Sequence, residues 1–231
     1  MINTIDISGK WELFISENNR TSLPENYNDC IILPDTLSSA AKVSENKNRD
    51  EGYLTDKYTF TGYAWFRRSC TLESDMTGLV SILTLERTRV STLYIDGAEV
   101  GTCDSLCSSH RYDISSYMTA GTHEIVIRVA NVGYKTGGGH MTSPDTQTNW
   151  LGIVGKMNIE IYPKSYISDV RVIASADGSL SVRGTVNGAD NAVVTATVTA
   201  PDGIRVLKAN IIADGDTFEA EFRLENAQLW D

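Results

Sequence analysis

His123-Glu-Ile-Val-Ile-Arg-Val129 alternates apolar and polar residues. Ile125, Ile127 and Val129 fall on one side, Glu124 and Arg128 on the other. Successive side chains of an extended strand point to opposite faces, so this is the pattern of a half-buried β-strand. Residues 156–161 repeat it, with Met157, Ile159 and Ile161 inside. Residues 79–85 are more uniformly apolar, which predicts a strand buried on both faces. Residues 90–95 meet Asp96-Gly97 and continue as residues 98–101. Asp-Gly between two such runs predicts a hairpin, because glycine accepts positive φ at little cost. One short helical turn is expected near Ser115 to Met118, with Asp113 as its cap. No segment carries a long helical period, so the fold class is all-β.

The texture changes near Tyr162-Pro163. All four cysteines and three of the four tryptophans precede it. Beyond it come shorter runs rich in Ala, Val and Thr, at residues 170–173, 179–186, 192–199, 204–209 and 217–224. Turn signals separate them at Asp177-Gly178, Asn187-Gly188, Pro201-Asp202-Gly203 and Asp214-Gly215. Evenly spaced short strands predict a second β-sandwich. The expected domains are residues 1–162 and 163–231. An immunoglobulin-like sandwich takes about seven strands, and only five runs are present here. The second domain is therefore expected to be incomplete, and either poorly ordered or paired through its open strand edge with another molecule.

The bulk numbers exclude several partners. Of 231 residues, 41% are hydrophobic and 22% charged, as in globular chains. The formal net charge is −10, and such a chain repels nucleic acid and anionic membrane surfaces. No apolar run is long enough to span a bilayer. Met1 opens directly onto polar, strand-like sequence. A secreted or periplasmic setting is the expectation if a signal peptide has been removed. Cys30, Cys70, Cys103 and Cys107 show no zinc spacing, and His110, His123 and His140 lie far apart. Neither a metal nor a cofactor is expected. The cysteines read as free, mostly buried thiols, with a Cys103–Cys107 bridge left open for an oxidising compartment.

Composition shows no catalytic apparatus. Gly137-Gly138-Gly139-His140 lacks the Lys and Ser/Thr that a phosphate loop needs. It is either a plain surface loop or a binding loop with close backbone approach. No G-x-S-x-G elbow is present, and no spacing marks a pair among the 30 acidic residues. Residues 145–150, Asp-Thr-Gln-Thr-Asn-Trp, crowd hydrogen-bonding side chains beside an aromatic. Sugars are held in this way: amides and carboxylates bind hydroxyls, while an aromatic face covers the C–H side. A polar loop closed by a core tryptophan would read the same. The candidate substrate-binding residues are Asn149, Asp145, Gln147, His140 and Trp150.

Several segments together resemble glycoside hydrolase family 2. They are Ile32-Leu33-Pro34-Asp35-Thr36, Tyr63-Ala-Trp65-Phe66-Arg67-Arg68, Leu85-Glu86, Tyr94-Ile-Asp96-Gly97 with Val100-Gly101, and Tyr112-Asp113-Ile114 with Gly121. Asn149-Trp150-Leu-Gly152-Ile153 with Gly155 is similar to the closing motif of the family's sugar-binding domain. Leu224-Glu-Asn226-Ala-Gln-Leu229-Trp230 is similar to a motif late in its immunoglobulin-like domain. The matches run in order over nearly the whole chain.

The resemblance implies a jelly-roll (galactose-binding-like) sugar-binding domain, then a partial immunoglobulin-like sandwich. It implies carbohydrate as ligand and a (β/α)8 barrel of the same protein as partner. It also implies a retaining mechanism with two barrel carboxylates about 5 Å apart. Nothing in this chain aligns with either carboxylate, so the chain alone is expected to be inactive. In related enzymes an Asp near the closing motif reaches the substrate, but Thr146, not Asp145, occupies the matching place. The alternative is a free-standing carbohydrate-binding module.

Overall fold

The computed structural model describes residues 1, 3–20, 22–47, 56–135, 139–143, 149–201, 203–204, 206–225 and 227–228. Strand accounts for 56% of the structure and helix for 3%, which places the chain in the all-β class. Apart from Met1, the chain divides into two compact units, Ile2–Ile161 and Tyr162–Asp231.

The strands of the first unit are β1 (Asn3–Asp6), β2 (Gly9–Ser16), β3 (Asp29–Leu33), β4 (Asp35–Thr36), β5 (Tyr63–Leu72), β6 (Val80–Thr88), β7 (Val90–Ile95), β8 (Ala98–Cys103), β9 (His110–Asp113), β10 (Gly121–Ala130) and β11 (Gly152–Tyr162). They form two sheets. One has the order β1-β11-β6-β9, with β4 also beside β11; the other has the order β3-β2-β5-β10-β7-β8. The inward faces share one core that includes Trp11, Phe66, Leu83, Leu93, Ile127 and Ile159. Burying each large apolar side chain stabilises the fold by roughly 1.5–3 kcal/mol. Trp11 is fully buried, and its indole Nε1 donates to the Ile7 carbonyl at 3.0 Å, so its polar group is satisfied inside the core.

The alternating stretches take their places. Ile125, Ile127 and Val129 are buried on β10, and Met157, Ile159 and Ile161 on β11. Residues 81–85 of β6 are buried without interruption. Asp96 and Gly97 have φ of 50° and 81° and close the β7–β8 hairpin, whose right-handed strand twist suits two left-handed residues. A single 3-10 turn, Ser115–Tyr117, follows β9, and Asp113 Oδ1 accepts from the Ser115 N–H at 2.9 Å.

The outer face of β10 departs from the simple alternation. Val126 is buried with Trp65 and Tyr94, and Phe14, Leu23 and Tyr27 pack against them. Arg128 lies over this cluster, its guanidinium 4.5 Å from the Tyr63 ring centroid and 5.5 Å from that of Trp65. A long cationic side chain thus covers aromatic surface, and its Nη2 donates to Asn19 Oδ1. The cysteines also differ from expectation. All four are free, but Cys30, Cys70 and Cys103 are only half-buried and Cys107 is exposed. Cys30 shows why: it alternates with the buried Ile31 and Leu33, and so faces outward.

The second unit contains β12 (Tyr166–Ala174), β13 (Ser179–Asn187), β14 (Val193–Thr199), β15 (Val206–Ile212) and β16 (Thr217–Arg223). Its sheets are β12-β13-β16 and β14-β15, all antiparallel. Leu180, Val182, Val186, Val194, Ile211 and Phe218 make a small core of their own.

Candidate functional site

Only Arg89 separates β6 from β7, and those strands belong to different sheets. The chain therefore crosses the sandwich at this residue. Arg89 is 2% exposed. Its guanidinium carbon lies 4.5 Å from the centroid of the Trp150 ring, and its Nε donates to the Trp150 carbonyl at 3.3 Å. Burial pulls its pKa below the ordinary arginine value, yet arginine stays charged in proteins.

The segment that carries Trp150 is held from several directions. Asn131, just past the end of β10, is also 2% exposed. Its Oδ1 accepts from the Gly62 N–H at 2.8 Å, and its Nδ2 donates to the Phe60 carbonyl at 2.8 Å and to the Asn149 carbonyl at 3.0 Å. One side chain thereby fixes two loops to the strand end. The Tyr134 hydroxyl donates to Asn149 Oδ1 at 2.8 Å. Burial pushes the Tyr134 pKa up to about 12, with the Arg89 charge opposing, so the phenol keeps its proton. Leu151 is buried, and its carbonyl accepts from the Leu37 N–H at 2.8 Å.

Two glycines set how closely β11 passes its neighbours. Gly152 has φ of +154°, and a Cβ there would lie 2.3 Å from the Asp35 carbonyl oxygen. At Gly155, with φ of +77°, a Cβ would lie 2.7 Å from the Glu86 carboxylate. That carboxylate accepts the Lys156 N–H at 2.7 Å, and the Thr88 hydroxyl donates to the Gly152 carbonyl at 2.7 Å. The sequence Asn-Trp-Leu-Gly-Ile thus reads physically as a clamp, a ring, an anchor and a close approach.

Of these residues, Glu86, Arg89 and Trp150 line a groove of about 470 Å3, together with Arg87, Cys107 and Met141 among others. The size lies within the range of ligand sites, about 300–1,000 Å3. Asn149 and Trp150 are half-buried beside each other. His140 is exposed and opens a short 3-10 turn, His140–Thr142, whose Met141 reaches the groove. Asp145 and Gln147 lie outside the described residues. The structure thus brings Asn149 and Trp150 together with Arg89, Asn131 and Tyr134. No local spacing in the sequence pointed to the last three.

A serine–histidine pair also exists, but not as a nucleophile. Ser91 Oγ lies 2.6 Å from His110 Nδ1 and 2.7 Å from the Tyr112 hydroxyl, and His110 Nε2 lies 2.7 Å from the Ser105 carbonyl. Facing a carbonyl, Nε2 must carry the proton, so Nδ1 accepts from Ser91. Ser91 and His110 are fully buried, and the group that orients the ring is neutral. The trio links β7 of one sheet to β9 of the other and acts as a pin. Among the described residues, no group of three His, Cys, Asp or Glu side chains converges to hold a metal.

Solved glycosidase structures share this fold. The β-glucuronidase of Bifidobacterium dentium, solved with coumarin-3-O-glucuronide, matches with a TM-score of 0.73 at 16% identity over 99% of this chain and 43% of its own. A Faecalibacterium prausnitzii β-glucuronidase matches with a TM-score of 0.71 at 17% identity, over 99% of this chain and 42% of its own. A β-D-mannosidase of Dictyoglomus thermophilum gives 0.69 at 13% identity, over 99% and 32%. The chain therefore spans less than half the length of each of these glycosidases. No protein-family model matches the sequence, and no curated protein does.

Proposed function

We propose that this chain is the non-catalytic, sugar-binding portion of a family-2 glycoside hydrolase, a retaining β-glycosidase. The first unit is its jelly-roll sugar-binding domain and the second a partial immunoglobulin-like domain. Carbohydrate is the ligand, and a (β/α)8 barrel of the same protein is the catalytic partner. The barrel carries the two carboxylates that form and break the glycosyl-enzyme.

The observation that supports this best is the clamped Asn149-Trp150 segment, whose Trp150 lines a groove beside Arg87 and Arg89. An amide with free donors beside an aromatic ring suits a sugar's hydroxyls and C–H face. Asn131, Tyr134 and Arg89 hold that pair in place before any ligand arrives, which lowers the entropy cost of binding. The fold shared with longer glycosidases supports the same reading. Asn149 is the first-ranked contact and Asp145 the second, with Gln147 and His140 beside them. Trp150 is chiefly a packing residue.

The test has two arms. The reading frame beyond Asp231 is expected to encode a (β/α)8 pattern; a stop codon there would instead support a free-standing binding module. The 231-residue chain is then incubated with chromogenic β-glucuronides, β-galactosides and β-mannosides, and no turnover above blank is expected. Turnover that survives repurification would overturn the non-catalytic assignment.

A further inference from the structure

Trp65 Nε1, Arg128 Nε and the Tyr27 hydroxyl are buried, and none has a hydrogen-bond partner among the described residues. They occur in one layer, on the outer face of the β3-β2-β5-β10-β7-β8 sheet. Trp65 and Arg128 stand directly opposite each other on β5 and β10, with the guanidinium carbon 5.5 Å from the Trp65 ring centroid. Tyr27, from the connection between β2 and β3, packs against the cluster of Trp65, Tyr94 and Val126. Buried polar groups in folded proteins are nearly always satisfied, so three orphans in one layer call for something that completes them. Their chemistry narrows what that is. Trp65 Nε1–H and Arg128 Nε–H are donors that cannot accept. Burial pushes the Tyr27 pKa up to about 12, with the Arg67 charge opposing, so its hydroxyl keeps a proton to donate. The layer therefore needs an acceptor.

Charge points the same way. Arg67 is met by Glu12 at 2.6 Å and by Glu124 at 3.7 Å. Arg128 has no ion pair among the described residues: its Nη2 donates to the neutral Asn19 amide, and its guanidinium lies over the Tyr63 and Trp65 rings. A cation taken out of water is usually offset by a counter-anion, and ring faces provide only part of that offset. A water molecule would accept from these groups but would bring two hydrogens of its own, and only the Tyr27 oxygen among the three could accept one. A halide ion accepts from all three and supplies the missing negative charge. We propose that a single chloride ion binds beneath the β2–β3 connection, accepting from Trp65 Nε1, Arg128 Nε and the Tyr27 hydroxyl. It is a structural anion that ties this connection to β5 and β10. None of the three residues lines the groove beside Arg89, so the site stands apart from the carbohydrate reading.

For the test, the 231-residue chain is dialysed into sodium gluconate, and sodium chloride is then exchanged for it at constant ionic strength. The NMR signal of the Trp65 indole N–H, assigned through the backbone, should shift along a saturable curve. The indole N–H of Trp11 already donates to the Ile7 carbonyl, and its signal should stay in place. Crystals grown in sodium bromide should give an anomalous peak beside Trp65 Nε1 and Arg128 Nε. Arg128→Met removes one donor and the positive charge, and should weaken chloride at least about tenfold, as the loss of a charged hydrogen bond requires. A Trp65 signal that does not move or only drifts linearly with chloride would overturn the proposal. So would a water in place of the bromide, or bromide bound only elsewhere, which is an adventitious ion only. Unchanged chloride affinity in folded Arg128→Met would overturn it as well. The titration and the anomalous map need no variant, so a failure of Arg128→Met to fold does not spoil the test.

Discussion

The Tyr134 hydroxyl donates to Asn149 Oδ1 across 2.8 Å, so the Asn149 side chain is already oriented by the protein. Its carbonyl end is engaged, and its Nδ2 has no partner among the described residues. The amide therefore presents donors to a ligand. In a longer protein that carries the barrel, Asn149→Ala should lower kcat/KM about ten- to hundredfold, the equivalent of one buried hydrogen bond of roughly 1–3 kcal/mol. Tyr134→Phe should have a smaller effect, since it frees the amide without removing it. If folded Asn149→Ala stays within about twofold of the parent, the amide does not reach the sugar.

Asn131 holds the same segment from behind through three hydrogen bonds. Asn131→Ala leaves the buried Gly62 N–H without a partner, and that loss alone should cost about 1–3 kcal/mol. Urea unfolding of the 231-residue chain should show a lower midpoint at an unchanged slope. An unchanged midpoint would show that water replaces the clamp.

How much of this was legible in the sequence follows from how local each feature is. Strands β10 and β11 and the β7–β8 hairpin were readable because alternation and Asp-Gly act over neighbouring residues. The outer aromatic cluster around Val126 was not, because Arg128 reads as a solvent-facing charge although it lies over Tyr63 and Trp65. At the site, residues 145–150 attracted notice through crowding. Arg89 and Asn131 gave no signal, since their partners lie 61 and 69 residues away. Long-range satisfaction of buried polar groups leaves no periodic trace in a single sequence.

Two histidines should give stability terms of opposite sign. Burial holds the His110 pKa down, with the Ser105 carbonyl opposing. The unfolded chain therefore takes up a proton near pH 6.5 that the native state refuses. Native stability from this residue is full above that pH and lost as pH falls below it. His123 is the reverse: its hydrogen bond to Asp96, and then that to the Thr119 carbonyl, raise its pKa. Its contribution is full below about pH 6.5 and lost as pH rises through the raised native value. Across pH 5–8, His110→Gln should therefore flatten the fall in denaturant midpoint below about pH 6.5, and His123→Gln should flatten the fall above it. Identical profiles for both variants would refute the assignment.

Among the described residues, β12 forms one edge of its sheet and pairs only with β13. Its side chains are unusually apolar for an open edge: Ile167, Val170, Val172 and Ile173 are 47%, 51%, 59% and 44% exposed. Unpaired backbone N–H and C=O groups flanked by such residues form a template for another strand. Proteins that keep an edge single usually place lysine, proline or a bulge there. The one irregularity in β12 lies between Ile167 and Asp169, near its start, and leaves residues 169–174 in regular register with β13. The 231-residue chain should therefore self-associate through β12 as its concentration rises. Sedimentation velocity should show a shift toward dimer, and Val172→Lys should return the chain to monomer with its fold intact. Lysine is chosen because its charge is costly to trap between two strands but free to reach water from a single edge. If the parent chain is monomeric at every accessible concentration, or if Val172→Lys associates as strongly, the exposed face of β12 is not the interface.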